Sequence, residues 1–335
     1  MEGVIENICV KSIVTCVPKE IEWNNDYARL GEQERELFIK KTGVEKRRVS
    51  QGKKTTVDLC EQAAMETFDK LGWKSEDIGL LIFVSQSADY LVPPSSNVLQ
   101  KRLKLQSSTF LYDLNMGCTG WVNGLLLASS LMQSFQIDKA LVLNGDTNIL
   151  LDPSSNSSYP LIGDAACATA LEISPASGSI PFKIANHGER YDSIIAPNSG
   201  ARFRANNPEL GLSLNTEMNG LKVFDYVSKI VIPEAIDFIE KNQIQADFLV
   251  SHQASLLVNQ FVQTKLKFSR EQSLYSLKDF GNTSSASIPL TICVNNDQQK
   301  LAGKELFCVA FGVGMSYAFV LLTISDDFET KLIEF

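Results

Sequence analysis

Cys118 sits in the run Tyr112-Asp113-Leu114-Asn115-Met116-Gly117-Cys118-Thr119-Gly120-Trp121, where an apolar strand gives way to a long apolar helical stretch, 121–135. A thiol at the start of a helix feels the positive end of the dipole, which favours thiolate. Backbone N–H groups left free in such a turn can bind an oxyanion. Gly117 and Gly120 let the chain turn sharply and leave room above the sulfur. Together these are the requirements of a nucleophile that forms a thioester. The competing reading is a buried structural cysteine, the commoner role for any one of the seven in this chain.

Two further residues have the chemistry to assist. His252 follows the apolar strand Phe248-Leu249-Val250 and is read as opening the helical segment Gln253–Leu266. It therefore falls at the C-terminal end of a strand, where α/β folds place their chemistry, although a lone histidine is more often a hydrogen-bonded structural residue. Asn282 lies in Gly281-Asn282-Thr283-Ser284-Ser285-Ala286-Ser287-Ile288-Pro289, a run of small residues suited to a tight turn before a packed helix; its plainer role is that of a turn residue. The second histidine, His187, stands among polar and charged neighbours and reads as a surface residue. Gly312-Val313-Gly314 bends between two strand-like runs and can bring a backbone N–H against a ligand. It lacks the spacing of a dinucleotide fingerprint.

The elements that must hold these residues are legible from periodicity. Short runs rich in branched residues, Leu80–Ser85, Thr109–Leu114, Ala140–Asn144, Phe248–Ser251 and Leu306–Phe311, read as strands. Between them Thr56–Leu71, Ser96–Leu105, Trp121–Phe135 and Phe224–Glu240 carry apolar residues at three- and four-residue intervals and read as helices. The alternation predicts an α/β fold with buried, mixed sheets. Asp152–Tyr159 and Asn198–Glu209, the latter with Arg202 and Arg204, read as surface loops. No Pro/Gly/Ser linker divides the chain, and the similar strand–helix units in both halves permit an internal duplication.

Composition narrows the function classes. The 335 residues are 44% hydrophobic and 21% charged, too apolar for disorder. Lys plus Arg number 31 and Asp plus Glu 39, giving a net charge of −8. This argues against nucleic acid and against an anionic membrane surface as the main partner. The cysteines are odd in number and widely spaced with no Cys-x-x-Cys pair, which argues against a disulfide framework or a structural zinc site. Charged residues interrupt the N-terminal apolar stretch, so it is not read as a signal peptide. No apolar run approaches the roughly 20 residues of a membrane span. A reduced, cytoplasmic protein is expected.

Taken together, the segments resemble the thiolase superfamily, and most closely the β-ketoacyl-acyl-carrier-protein synthase III group. The resemblance runs nearly end to end. Phe38-Ile39-Lys40-Lys41-Thr42-Gly43-Val44 resembles the family's early Thr-Gly-Ile segment, Gly117-Cys118-Thr119-Gly120-Trp121 its nucleophile turn, His252-Gln253-Ala254 its His-Gln-Ala motif and Gly281-Asn282-Thr283-Ser284 its Gly-Asn-Thr-Ser motif. The spacings, 134 residues from Cys118 to His252 and 30 more to Asn282, agree as well. The resemblance implies a five-layered αβαβα fold built from two pseudo-duplicated halves, residues 1–175 carrying the cysteine and 176–335 carrying the histidine and asparagine, and a homodimer. It implies that Cys118 accepts an acyl group from a thioester, with the backbone N–H groups of Cys118 and Val313 as oxyanion hole. It implies that His252 and Asn282 hydrogen-bond the carbonyl of a malonyl-type thioester and stabilise the enolate formed on loss of carbon dioxide. No metal and no redox cofactor is implied; the substrates are coenzyme A or acyl-carrier-protein thioesters.

The positions that recruit substrate depart from the family pattern. Leu37 replaces a Trp that stacks on adenine, and Asn156 replaces an Arg on the other adenine face. Leu257 stands where an Arg docks the carrier protein, and Asp225 where a docking Lys is usual. Lys265, Lys267 and Arg270 offer an alternative basic patch. Val92 matches the place where a neighbouring subunit lends a bulky aromatic to the acyl pocket, and a valine leaves more room. Three functions remain open on this reading: a decarboxylative condensing enzyme, an acyltransferase moving the acyl group from Cys118 to a hydroxyl or amine with His252 as general base, and a non-catalytic partner subunit.

Overall fold

The computed structural model describes residues 1–148, 155, 158–175, 177–206, 209 and 215–335. Two mixed sheets carry the architecture. The first has six strands in the spatial order Glu329–Glu334, Ile8–Val17, Ala165–Ile173, Lys139–Asp146, Leu80–Val84 and Phe110–Leu114. The second has five, in the order Glu2–Ile5, Ile180–Asn186, Ser316–Thr323, Glu305–Gly312 and Phe248–Ser251.

Side chains alternate across each strand, so a strand buried on both faces feeds two apolar clusters. Leu80, Ile82, Val84, Ala140 and Val142 of the first sheet meet Leu306, Cys308, Ala310, Ala318 and Val320 of the second in one central cluster, together with Trp121, Leu125, Met132, Ile288 and Ile292 from helices. Leu81, Phe83, Leu141 and Leu143 point the other way, onto Leu59, Ala63 and Leu99. Phe307, Val309, Phe311 and Phe319 point outward onto Val231, Ala235, Phe238 and Val262. The layers are therefore helices, sheet, helices, sheet, helices, the five-layered αβαβα arrangement. The central layer holds Gly120–Phe135 and Ser287–Asn295, the helices that follow Cys118 and Asn282.

Thr56–Leu71 and Phe248–Ser251 form with the bounds read from the sequence. Other elements differ. The chain after His252 does not continue directly into a helix: Ala254 N–H returns to the His252 carbonyl at 2.9 Å, and the helix is Leu256–Lys265, capped by Ser255. Phe224–Glu240 is three pieces, Gly220–Tyr226, a π-helical turn Val227–Val231, and Ile232–Lys241. Within the polar stretch 198–209, Gly200–Asn206 is helical rather than loop. Most of Asp152–Tyr159, with Asn156, lies outside the described residues.

The two terminal strands change partners. Glu2–Ile5 pairs antiparallel with Ile180–Asn186 in the second sheet, and Glu329–Glu334 pairs parallel with Ile8–Val17 in the first. A division at 175/176 thus separates the sheets except for one strand of each.

Candidate active site

The nucleophile helix is seated by small residues. A Cβ on Gly120 would lie 2.7 Å from Val84 Cγ1, and one on Gly124 2.9 Å from Val84 Cγ2 and 3.0 Å from Val142 Cγ1. Bare backbone thus lets the helix lie close on the first sheet. Trp121, buried, donates its indole N–H to Thr169 Oγ1 at 2.9 Å and fixes the first turn. Cys118 occupies the turn just before this helix, closed by Gly120 N–H to the Gly117 carbonyl at 2.6 Å.

A second element reaches the sulfur from the opposite sheet. Glu305–Gly312 and Ser316–Thr323 form a hairpin whose bend carries Val313. Gly312 has φ of +153°, and a Cβ there would stand 2.5 Å from both Cβ and Sγ of Cys118. The Val313 side chain lies against Gly117, and Thr119 Oγ1 meets Ser316 Oγ at 2.9 Å. The resting thiol is held above its ordinary pKa by burial. The backbone N–H groups of Val313 and of Cys118 itself pull it down, and the charge of Asp146 pushes it up. Burial therefore outweighs the helix dipole, contrary to the thiolate expected from the helix start, and the cysteine rests as a thiol. The two N–H groups that reach the sulfur are those expected to form the oxyanion hole.

His252 lies at the end of the strand Phe248–Ser251, its N–H donating to the Val309 carbonyl at 2.8 Å. Its ring stands edge-on to Phe311, centroids 5.7 Å apart. Phe311 immediately precedes the glycine that abuts Cys118, so the hairpin connects thiol and imidazole. His252 Nδ1 is 2.6 Å from Ser287 Oγ. Burial lowers the imidazole pKa to about 4, so the ring is neutral at physiological pH.

Asn282 is pinned to the other half of the chain. Its N–H donates to the Leu161 carbonyl at 2.9 Å, and its carbonyl accepts from Gly163 N–H at 3.0 Å. Gly281, at φ +68°, makes this approach possible: a Cβ there would meet the Leu161 carbonyl oxygen at 2.6 Å. The Asn282 side-chain oxygen accepts the Ser284 N–H at 2.9 Å, which leaves its NH2 as the free donor.

Two more residues close the site. Asp146, buried at the end of Lys139–Asp146, accepts from Gln86 N–H at 2.7 Å and from Ser85 Oγ at 3.0 Å. Burial pushes its carboxyl up, against the pull of the Ser284 side chain and those two donors. Gln86 in turn packs its Oε1 against Gly117. One run of contacts leads from Cys118 through Gly312 and Phe311 to His252 and Ser287. A second run leads from Asn282 and Ser284 through Asp146 and Gln86 to Gly117, beside the cysteine. Gln86, Asp146, Ser284 and Ser287 were not anticipated. The first two sit just at or beyond strand C-termini, a position that by itself marks functional residues in α/β sheets.

The recruiting positions are mostly open. Leu37 and Leu257 are exposed, as are Lys265, Lys267 and Arg270. Asp225 is not a bare charge: Arg190 and Lys229 pair with it at 3.1 and 2.5 Å and hold its carboxyl below the usual range. Val92 is 85% exposed, beside exposed Tyr90 and Leu91. His187 is a partly buried residue rather than a loose surface one, bonded to Tyr226 Oη at 3.0 Å. All seven cysteines are free, and among the described residues no cluster of His, Cys, Asp and Glu could hold a metal. Among the described residues no helix is long and apolar enough to cross a membrane.

Family models described as 3-oxoacyl-[acyl-carrier-protein] synthase III and its C-terminal part match residues 112–188 and 239–324, the segments that carry Cys118, His252 and Asn282. The β-ketoacyl-[acyl-carrier-protein] synthase III of Thioalkalivibrio sulfidiphilus is 30% identical over 312 residues, covering 92% of this chain and 96% of that one. The chain belongs to the 3-oxoacyl-[acyl-carrier-protein] synthase III family. A Campylobacter curvus synthase III is 29% identical over 318 residues, covering 93% of this chain and 95% of its own length. The crystal structure of a 3-oxoacyl-(acyl-carrier protein) synthase from Burkholderia xenovorans superposes with a TM-score of 0.92 at 29% identity, covering 99% of this chain and 98% of that one. The five layers are thus the family's thiolase-like fold, and the protein is a condensing enzyme of the transferase class.

Proposed function

We propose that the protein is an acyltransferase that joins two thioesters by decarboxylative Claisen condensation in fatty-acid or specialised lipid synthesis. The observation that carries this reading is a cysteine whose sulfur is reached by two backbone N–H groups and which is linked through Gly312 and Phe311 to a neutral His252, with the Asn282 NH2 left as a donor by the Ser284 contact.

In the first half-reaction the Cys118 sulfur attacks the acyl carbon. The carbonyl oxygen takes up negative charge in the hole formed by the N–H groups of Cys118 and Val313. The C–S bond to the donor breaks, and the donor leaves as a thiol carrying the proton that Cys118 gives up. In the second, a malonyl-type thioester loses carbon dioxide. The electron pair moves onto its thioester oxygen, where His252 and Asn282 donate. The enolate carbon then attacks the acyl-cysteine, a carbon–carbon bond forms, the cysteine leaves as thiolate and one proton from solvent restores the thiol. A neutral imidazole suits this step, because it donates a hydrogen bond without being consumed as an acid. The chemistry uses the chain's own groups and two thioesters, with no metal or redox cofactor. It suits a reduced, cytoplasmic setting, where the thiol stays free.

Substrates are acyl thioesters, carried by coenzyme A or by an acyl carrier protein that meets the exposed Lys265, Lys267 and Arg270. The active form is a homodimer in which Tyr90, Leu91 and Val92, exposed in one chain, face the partner, with Val92 beside the partner's acyl pocket.

The test is a panel of acyl donors with carboxyl-labelled malonyl thioester. The expected result is acyl-enzyme at Cys118 by intact mass, release of labelled carbon dioxide, and a 3-oxoacyl product, all lost in Cys118→Ala. Acyl transfer to a hydroxyl or amine without carbon dioxide release would overturn it in favour of simple acyl transfer. A cysteine that no thioester acylates would make the chain a non-catalytic subunit.

A further inference from the structure

Ser287 is the first residue of the helix Ser287–Asn295, is fully buried, and makes the 2.6 Å contact with His252 Nδ1. The direction of that bond follows from hydrogen-bond accounting. Gln253 N–H points at the same Ser287 Oγ, at 3.4 Å, and takes one of its lone pairs. The hydroxyl proton must go elsewhere, and among the described contacts Nδ1 is its only acceptor. If Nδ1 were protonated instead, the serine proton would be stranded in a dry interior. Nε2 would then meet a substrate carbonyl as acceptor against acceptor.

We propose that Ser287 is a positioning residue that holds His252 in the neutral tautomer with its proton on Nε2, so that the imidazole faces the substrate as a donor. Its purpose rests on the condensing reading above; the tautomer itself does not. The partner on Nδ1 is a hydroxyl and not a carboxylate, so nothing in the contact draws the ring toward imidazolium. The backbone under the ring is fixed independently, since Asn259 Nδ2 donates to Ser251 Oγ at 2.9 Å and to the His252 carbonyl at 3.2 Å. Asn282 is treated in the same way by the same short segment: Ser284 N–H occupies its oxygen and turns its NH2 outward. One stretch, Asn282–Ser287, thus contains one donor, the residue that orients it, and the residue that orients the other donor.

The chain has only two histidines, so the experiment is direct. Protein labelled with 15N-histidine gives two ring systems, assigned with His187→Asn. The expected wild-type spectrum shows His252 with a protonated Nε2 and a bare Nδ1 between about pH 6 and 8. In Ser287→Ala the two tautomers mix. Malonyl decarboxylation by the acyl-enzyme falls roughly tenfold to a hundredfold, as when an orienting partner is removed elsewhere, while acylation of Cys118 stays within about twofold. Ser287→Thr, which keeps the hydroxyl, restores both. A wild-type spectrum with the proton on Nδ1 overturns the proposal and needs no variant to fold. Unchanged tautomer and unchanged decarboxylation in Ser287→Ala overturn it too. Wild-type protein with the expected spectrum but no carbon dioxide release would sink the condensing reading and leave the tautomer assignment standing.

Discussion

A glycine with no side chain decides how the nucleophile stands. The sulfur of Cys118 lies only 2.5 Å from where a Cβ on residue 312 would stand. Gly312→Ala should therefore push the sulfur off the two N–H groups that reach it and cut the acylation rate about a hundredfold, while circular dichroism stays that of the wild type; acyl-enzyme formation by intact mass reads this out. His252 gives a second prediction, with its sign set by a depressed pKa. The unfolded chain takes up a proton near pH 6.5, but the folded ring resists until about pH 4. The stability that His252 contributes as a neutral residue is thus lost as pH falls through that window, roughly 2–3 kcal/mol by pH 4.5. In urea unfolding, His252→Gln should lose that much less stability than wild type between pH 7 and 4.5; equal losses would refute it. The types and spacing of Cys118, His252 and Asn282 were readable in the sequence because each sits in a distinctive local run. The protonation of Cys118 was not, because the dipole is local while the burial that overrides it depends on tertiary packing, in which Gly312 of the other sheet abuts the sulfur. Ser287 was equally hidden. In sequence it is one of several small residues, and only the fold brings it under the imidazole.

A buried strand and a helix with one long apolar stripe announce themselves, and Phe248–Ser251 and Thr56–Leu71 coincide with their sequence patterns. Where local chemistry intervenes the pattern misleads. The apolar periodicity after His252 suggests an immediate helix, yet the capping hydroxyl of Ser255 sets the start at Leu256. The four residues before it are then free to turn the imidazole toward the site. The nucleophile helix makes the testable case. Alanine normally favours a helix over glycine by about 1 kcal/mol. At Gly124 the new methyl would lie 2.9 Å from Val84 and 3.0 Å from Val142, both stiff, branched side chains. Overpacking of this kind costs about 1–3 kcal/mol. Gly124→Ala should therefore lower the urea midpoint despite its better propensity, and slow acylation by lifting the helix that carries Cys118. A raised midpoint would show that the sheet yields.

At the scale of the whole molecule the alternation of strands and helices predicted an α/β fold with mixed sheets, and the five layers came from the family resemblance; the strand partners followed from neither. Pairing between Glu2–Ile5 and Ile180–Asn186, or between Glu329–Glu334 and Ile8–Val17, joins segments more than 170 residues apart, and no local pattern encodes it. The site shares this dependence. Cys118 comes from one half of the sequence, Gly312, His252 and Asn282 from the other, and Leu161 and Gly163 grip Asn282 across the divide. The basic surface at Lys265, Lys267 and Arg270 is a separate, whole-surface matter. Reversing the first two charges should raise KM for carrier-bound donors and leave short pantetheine thioesters unaffected, with the carrier effect fading as salt rises.

The exchanged terminal strands have a consequence for how the chain can be divided. Cut between residues 175 and 176, each piece would hold one strand that belongs to the other's sheet, and each would lack an edge of its own. Neither piece alone should give a cooperative unfolding transition. Produced together, the two should find each other, trade edges and recover a thiol that thioesters acylate, a split enzyme whose reassembly needs no added tag. Pieces that each fold independently and fail to associate would show that the edges are ornament, and that the halves meet only through the central helices.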